Sequence, residues 1–161
     1  MKGALLVGVI SDTHGLLRPE AVEALRGADL ILHAGDVGAP EVLEALGRLA
    51  PVHAVRGNND RAPWAAKLPL TEVVPVGAHL FYVLHEGDLL DLDPAAAGFA
   101  AVVSGHSHKP VIETRGGVLW LNPGSAGPRR FRLPVTVARV RVRGAALAAE
   151  LVDVAPPSAR G

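Results

Sequence analysis

The distribution of apolar segments predicts an α/β fold built from two packed, mixed β-sheets with helices on the outside. Three observations carry this reading. The first half of the 161-residue chain alternates short apolar runs with amphipathic stretches. That β-α-β-α-β order gives parallel strands joined by helical crossovers. The second half is mostly short strand-like runs punctuated by glycine. Together they supply more strands than one small open sheet accommodates.

Leu5 to Ile10 is a continuous apolar run closed by Ser11-Asp12-Thr13-His14, as expected of a strand covered on both faces. Pro19 to Arg26 follows helical spacing, with Val22 and Leu25 on one side and proline in the first turn, where its missing N–H costs nothing. Asp29 to Ala34 is the second strand. Pro40 to Leu49 places Val42, Leu43, Leu46 and Leu49 at helix spacing, and Pro51 to Arg56 is the third strand. Further strands are predicted over Thr71–Val76, His79–Leu84, Ala100–Ser104, Val111–Thr114, Val118–Leu121, Pro134–Arg143 and Ala145–Asp153. Gly77, Gly116-Gly117 and Gly144 mark tight connections between them. Asp93 to Gly98 reads as a short helix. No repeat or linker interrupts the chain, so residues 1–154 are expected to form one domain, with 155–161 as a tail.

Composition narrows the function classes. Hydrophobic residues make up 49% and charged residues 20%, which suits a globular protein rather than a disordered one. Lys+Arg and Asp+Glu balance at 16 each, so no global field attracts nucleic acid or anionic membrane. With no cysteine, disulfides, thiolate nucleophiles and thiolate zinc sites are excluded. The apolar N-terminal run is short and lacks a cleavage-type sequence, and no window is long enough to span a bilayer. A cytoplasmic protein is expected.

Chemistry-bearing residues gather where the predicted strands end. Asp12 and His14 follow the first strand, Asp36 the second, and Asn58 and Asp60 the third. His85 follows a later strand, and His106 and His108 the next, in Ser-Gly-His-Ser-His. In open parallel sheets the carboxyl ends share one edge, where ligands bind. Asp-x-His and His-x-His would each put two side chains on one side of an extended segment. Carboxylates, imidazoles and an amide oxygen suit manganese, iron, cobalt, nickel or zinc. Gly35, Gly57 and Gly105 precede three of these residues and permit tight turns.

The ordered series D-x-H, G-D, G-N-x-D, a later H and G-H-x-H resembles the calcineurin-like metallophosphoesterase superfamily. The match runs from Val9 to Ser125. The short length and Leu121-Asn122-Pro123-Gly124-Ser125 make the chain similar to its small bacterial and archaeal phosphodiesterase group. The resemblance implies a four-layer α-β-β-α sandwich of two mixed sheets, with two divalent metal ions at the carboxyl edge. One ion would be held by Asp12, His14, Asp36 and His108. The other would be held by Asp36, Asn58, His85 and His106, with Asp36 shared. Asp60 would orient the loop without ligating. The implied activity is hydrolysis of a phosphodiester, the ions lowering the pKa of water towards about 7 and neutralising phosphoryl charge. A phosphomonoesterase and a non-catalytic scaffold are the alternatives, since one eukaryotic relative serves as a trafficking scaffold.

Two positions depart from the pattern. Larger relatives carry histidine where this chain has Asn59, and an amide cannot deliver a proton as an imidazolium can. Activity should therefore favour esters whose leaving group needs little proton help. Glu86 stands where glycine often follows the ligand histidine, crowding or acidifying the mouth. His33 reads as a core or supporting imidazole, while nothing recommends His53 or His79 as ligands. Arg129, Arg130 and Arg132 form a basic cluster with surface and phosphate-binding readings. Asn122 and Ser125 are turn formers near the site. Trp64 and Trp120 suit either the core or a cleft. The expected partner is a small phosphoester substrate rather than nucleic acid or membrane, and exposed strands leave a homo-oligomer open.

Overall fold

A computed structural model describes residues 4–130 and 132–155. Its elements are β1 (Leu5–Ile10), α1 (Pro19–Leu25), β2 (Leu30–His33), α2 (Pro40–Gly47), β3 (Val52–Ala54), β4 (Thr71–Val76) and β5 (His79–Leu84), followed by β6 (Ala101–Val103), β7 (Val111–Arg115), β8 (Val118–Asn122), β9 (Thr136–Arg143) and β10 (Ala146–Asp153). Two five-stranded sheets result, ordered β10-β9-β1-β2-β3 and β4-β5-β6-β8-β7. β1, β2 and β3 are parallel, as the crossover order requires, and β9 and β10 extend that sheet antiparallel. In the second sheet β5, β6 and β8 are parallel, with β4 and β7 antiparallel at the edges.

Side-chain alternation explains the layering. Val7 and Val9 of β1, Leu32 of β2 and Val140 of β9 face inward. They meet Phe81, Val83, Val103 and Leu121 of the second sheet in a closed apolar layer. The alternate residues Ile10, Ile31 and Val137 face outward and are covered by Ala21 and Leu25 of α1 and Val42 and Leu46 of α2. Each fully buried side chain of this kind contributes roughly 1.5–3 kcal/mol relative to exposure. Gly8 has a packing reason: a Cβ there would come within 2.8 Å of Leu25.

The outer layer over the second sheet is thinner. It consists of a 3-10 turn at Gly87–Leu89 and the segment that follows, with Leu90 packed on Leu84, Val102 and Val118. Phe99 contacts Tyr82, ring centroids 5.0 Å apart. The helix expected over Asp93–Gly98 is instead a turn, with Ala97 N–H donating to Asp93 O and Phe99 N–H to Pro94 O. Only three alanines separate Pro94 from Gly98, too few to offset the cost of nucleating a helix without an apolar stripe to bury. The strand expected from Pro134 starts at Thr136, since proline has no N–H for the ladder.

Ala155, assigned to a tail, packs against the helix-side core, and the rest of that segment lies outside the described residues. No helix among the described residues is long and apolar enough to cross a membrane.

Candidate metal centre

The loops after β1, β2, β3, β5 and β6 carry all seven candidate ligands. The first two loops are zipped together beyond the strands: Asp12 N–H donates to Gly35 O, His14 N–H to Asp36 O and Gly15 N–H to Val37 O. Residues 11–14 and 104–110 lie outside any strand, so strand pleat does not place the paired ligands as the spacing suggested. Alternating backbone does. Asp12, His14, Asp36, His106 and His108 have φ of 54°, 48°, 55°, 71° and 64°, and no other described non-glycine residue has positive φ. Each such conformation costs about 1–2 kcal/mol, and the surrounding hydrogen bonds must hold it. The histidine doublet divides: the His108 ring lies near His14 (centroids 5.5 Å apart) and the His106 ring near His85 (5.1 Å).

Two glycines let the loops approach this closely. A Cβ on Gly57 would fall 2.2 Å from the Asp36 carboxylate, and one on Gly105 would fall 2.0 Å from Ser11 Oγ and 2.6 Å from Asp12 Oδ2.

Asp12 and Asp36 occupy the middle. Asp12 Oδ1 lies 3.4 Å from His108 Nε2 and 3.9 Å from both His14 Nε2 and His85 Nε2. Asp36 Oδ2 lies 3.3 Å from His85 Nε2 and 3.8 Å from His14 Nε2. Asp12, His14 and His108 form one group able to hold an ion; Asp12, Asp36 and His85 form a second. Asp12 Oδ1, His14 Nε2 and His85 Nε2 are buried without a hydrogen-bond partner. His85 Nδ1–H donates to Ala34 O at 2.7 Å, so a neutral ring aims its Nε2 lone pair at the Asp36 carboxylate. A proton or a cation must lie between them, and the set fits divalent ions. Asn58 and His106 are exposed at the rim beside this buried pair of groups.

Electrostatics agree with that arrangement. Burial alone would raise the Asp12 carboxyl, but His108, the Ser11 hydroxyl and the charge of His85 outweigh it and hold the group below its ordinary value. Asp36 is likewise raised by burial and then driven well below the carboxylate range by His85 and by Asn59. Burial would lower His85, yet Asp36 and Asp12 hold it above its ordinary value. Burial lowers His14 despite both carboxylates, and the charge of Arg130 adds to that shift.

A shell of hydrogen-bonding groups fixes the centre. The Asp60 carboxylate accepts N–H groups from Val37, Gly38 and Gly57, tying the β2 loop to the β3 loop. Asn59 donates to Asp36 from both its backbone (2.9 Å) and its side-chain amide (3.0 Å). His33 is fully buried; its Nδ1 accepts Gly35 N–H, so Nε2–H donates to Thr13 Oγ1. Asn122 Nδ2 donates to Gly105 O and Ser107 Oγ, and Ser125 Oγ donates to Asp12 O. Sequence reasoning treated Asn122 and Ser125 as turn formers and Asn59 as a missing acid. Their buttressing role has no one-dimensional signal beyond an amide or hydroxyl at a strand end.

The remaining singled-out residues fall elsewhere. His53 pairs with Glu72 at 3.2 Å, and His79 donates to Gly144 O. Arg129 donates to the Leu133 and Ala155 carbonyls, a structural role. Trp64 packs against the helix-side core. Two clefts of about 500 Å³ flank the rim and meet at Glu86. One is lined by His106, Ser107, Arg115 and Trp120, the other by Arg56, Asn58, Tyr82 and His85.

Comparison with known proteins adds to this. Residues 5–145 match the calcineurin-like phosphoesterase superfamily domain. The chain is 36% identical over 168 residues to a probable metallophosphoesterase of Methanothermobacter thermautotrophicus, covering 97% of this chain and 96% of that protein. In fold it is similar to a structurally and functionally characterised archaeal phosphodiesterase, with TM-score 0.77 and 22% identity over 92% of this chain and all of that one. It is also similar to zinc-complexed wild-type Vps29 from Entamoeba histolytica, with TM-score 0.68 and 23% identity over 94% of this chain and all of that one. The chain belongs to the calcineurin-like phosphoesterase superfamily, metal-dependent hydrolases of phosphoester bonds.

Proposed function

We propose that the protein hydrolyses phosphodiesters at a centre of two divalent ions, held by Asp12, His14, Asp36, Asn58, His85, His106 and His108. The observation that carries this reading is the pair of buried carboxylates set among imidazole nitrogens without hydrogen-bond partners. Asp36 Oδ2 lies near both His14 and His85, in keeping with a shared role, although the carboxylate common to both ligand groups in the structure is Asp12. Divalent ions at such a centre lower the pKa of water and neutralise phosphoryl charge.

The chain's own residues set the specificity. Asp12 and Asp36 are held ionised, and a cation entering between them displaces the proton that they favour on His85. Asn59 is committed to Asp36 and carries no transferable proton, so esters with aryl or other low-pKa leaving groups are favoured. Two clefts on either side of the rim suit a phosphorus bearing two organic arms, where a monoester needs one. The charge of Arg130 acts on His14 and so also favours an anion bound at the centre.

The likeness to Vps29 supports a second reading, a binding module on the same fold. Since that structure holds zinc, turnover separates the readings and metal content does not. The test is hydrolysis of bis-p-nitrophenyl phosphate against p-nitrophenyl phosphate with added manganese or nickel. Diester turnover well above monoester turnover is expected. Preference for the monoester favours the phosphomonoesterase, and inertness towards both sinks the enzyme reading.

A further inference from the structure

We infer that the cleft beside His106 is a subsite for a planar nitrogenous ring, a nucleobase-like substituent on the ester, received against Trp120 and Arg115. The inference rests on the phosphodiesterase reading and names the kind of arm the substrate carries. The cleft measures about 510 Å³, within the range that takes a nucleoside-sized group. Its lining includes Gly105, His106 and Ser107, the loop that carries the rim residue His106. A group seated there lies beside the metal centre.

Trp120 supplies the flat surface. It packs against Leu84, Val102 and Val118 on the outer face of the second sheet, which fixes its ring while leaving it half-buried at the cleft. The Arg115 guanidinium lies 4.7 Å from the ring centroid. Besides that contact it has an exposed ion pair to Glu113, 2.9 Å long, and such pairs contribute little. An entering ring displaces the guanidinium from Trp120 and is then capped by it, sandwiched between two flat surfaces.

Acidic groups of the same cleft select the kind of ring. Glu86 and Asp88 also line it, on a turn held by Leu89 N–H to Glu86 O (3.0 Å) and Leu90 N–H to Gly87 O (3.1 Å). These carboxylates accept hydrogen bonds from ring N–H or amino groups. Their negative charge also repels additional phosphates. The occupant is a heterocycle on a singly charged diester, and a polyphosphate chain is disfavoured.

Two measurements on the full chain test this. The first compares KM for adenosine 5′-(p-nitrophenyl phosphate) and methyl p-nitrophenyl phosphate with manganese present. Trp120→Ala is expected to raise KM for the adenosine ester on the order of tenfold while leaving the methyl ester unchanged. Trp120→Phe, which keeps an aromatic face and the packing, retains most of the affinity. The second titrates adenosine into metal-free Trp64→Phe protein, whose remaining tryptophan emission is expected to be quenched. An equal rise in KM for both esters, or no quenching at millimolar adenosine, overturns the subsite. Quenching without turnover of either ester leaves the subsite standing and removes the phosphodiesterase reading instead.

Discussion

Asp12, His14, Asp36, His106 and His108 hold a left-handed backbone that an ordinary side chain avoids, and the neighbouring residues explain how it persists. Asn59 shows the principle most directly, since its two donors hold the Asp36 carboxylate. Asn59→Ala keeps the backbone bond but frees Asp36 Oδ2. Isothermal titration with manganese should show affinity falling by about tenfold or more, with little change in the far-UV spectrum. His33 makes a prediction about pH. Its pKa is lowered from 6.5 to about 4 by burial, against the opposing charges of Asp12 and Asp60. Between those values the unfolded chain binds a proton that the folded chain refuses. The stabilisation is therefore complete above pH 6.5 and is lost as pH falls towards 4, by up to about 3 kcal/mol. Urea unfolding at pH 7.5 and pH 5 should show that loss in the native protein. In His33→Gln the difference between the two pH values should shrink.

At the scale of elements, the sheets deliver the loops, and hydrogen bonds between loops complete the site. Asp60 links the β2 and β3 ends through three backbone N–H groups. Asp60→Ala strands those donors at a cost of about 1–3 kcal/mol each, and the midpoint of chemical denaturation should drop accordingly. Asn122, at the end of β8, holds the loop after β6. Asn122→Ala should weaken metal binding more than it weakens folding, a split visible by comparing titration calorimetry with urea unfolding. Were stability to fall as far as affinity, Asn122 would be a general structural residue and not a positioning one.

For the molecule as a whole, the loops at the centre hold left-handed backbone and carry buried polar atoms, Asp12 Oδ1, His14 Nε2 and His85 Nε2, that a cation would satisfy. Ligation should therefore stabilise it markedly: an ion present at a hundred times its dissociation constant adds about 2.7 kcal/mol. Thermal scans should show the midpoint rising with manganese and returning with chelator, and Asp36→Asn should blunt the response. The elements and ligand candidates were legible because apolar periodicity and strand-end polarity are local patterns. The Asp93–Gly98 turn was misread because alanines favour a helix until its length and missing apolar stripe are weighed. The source of the Asp-x-His geometry was misread because left-handed φ is imposed by contacts from other loops, Gly35 O on Asp12 N–H among them.

By itself the sequence determined the alternation of strands and helices, the two sheets and the residue types at the strand ends, since each follows from neighbours along the chain. Only the tertiary structure decided that His106 and His108 part company, that Asn59 serves Asp36, that Asn122 and Ser125 support the loops, and that Trp120 faces a cleft. Those relations join residues up to 113 positions apart, and such distances close only when the two sheets pack.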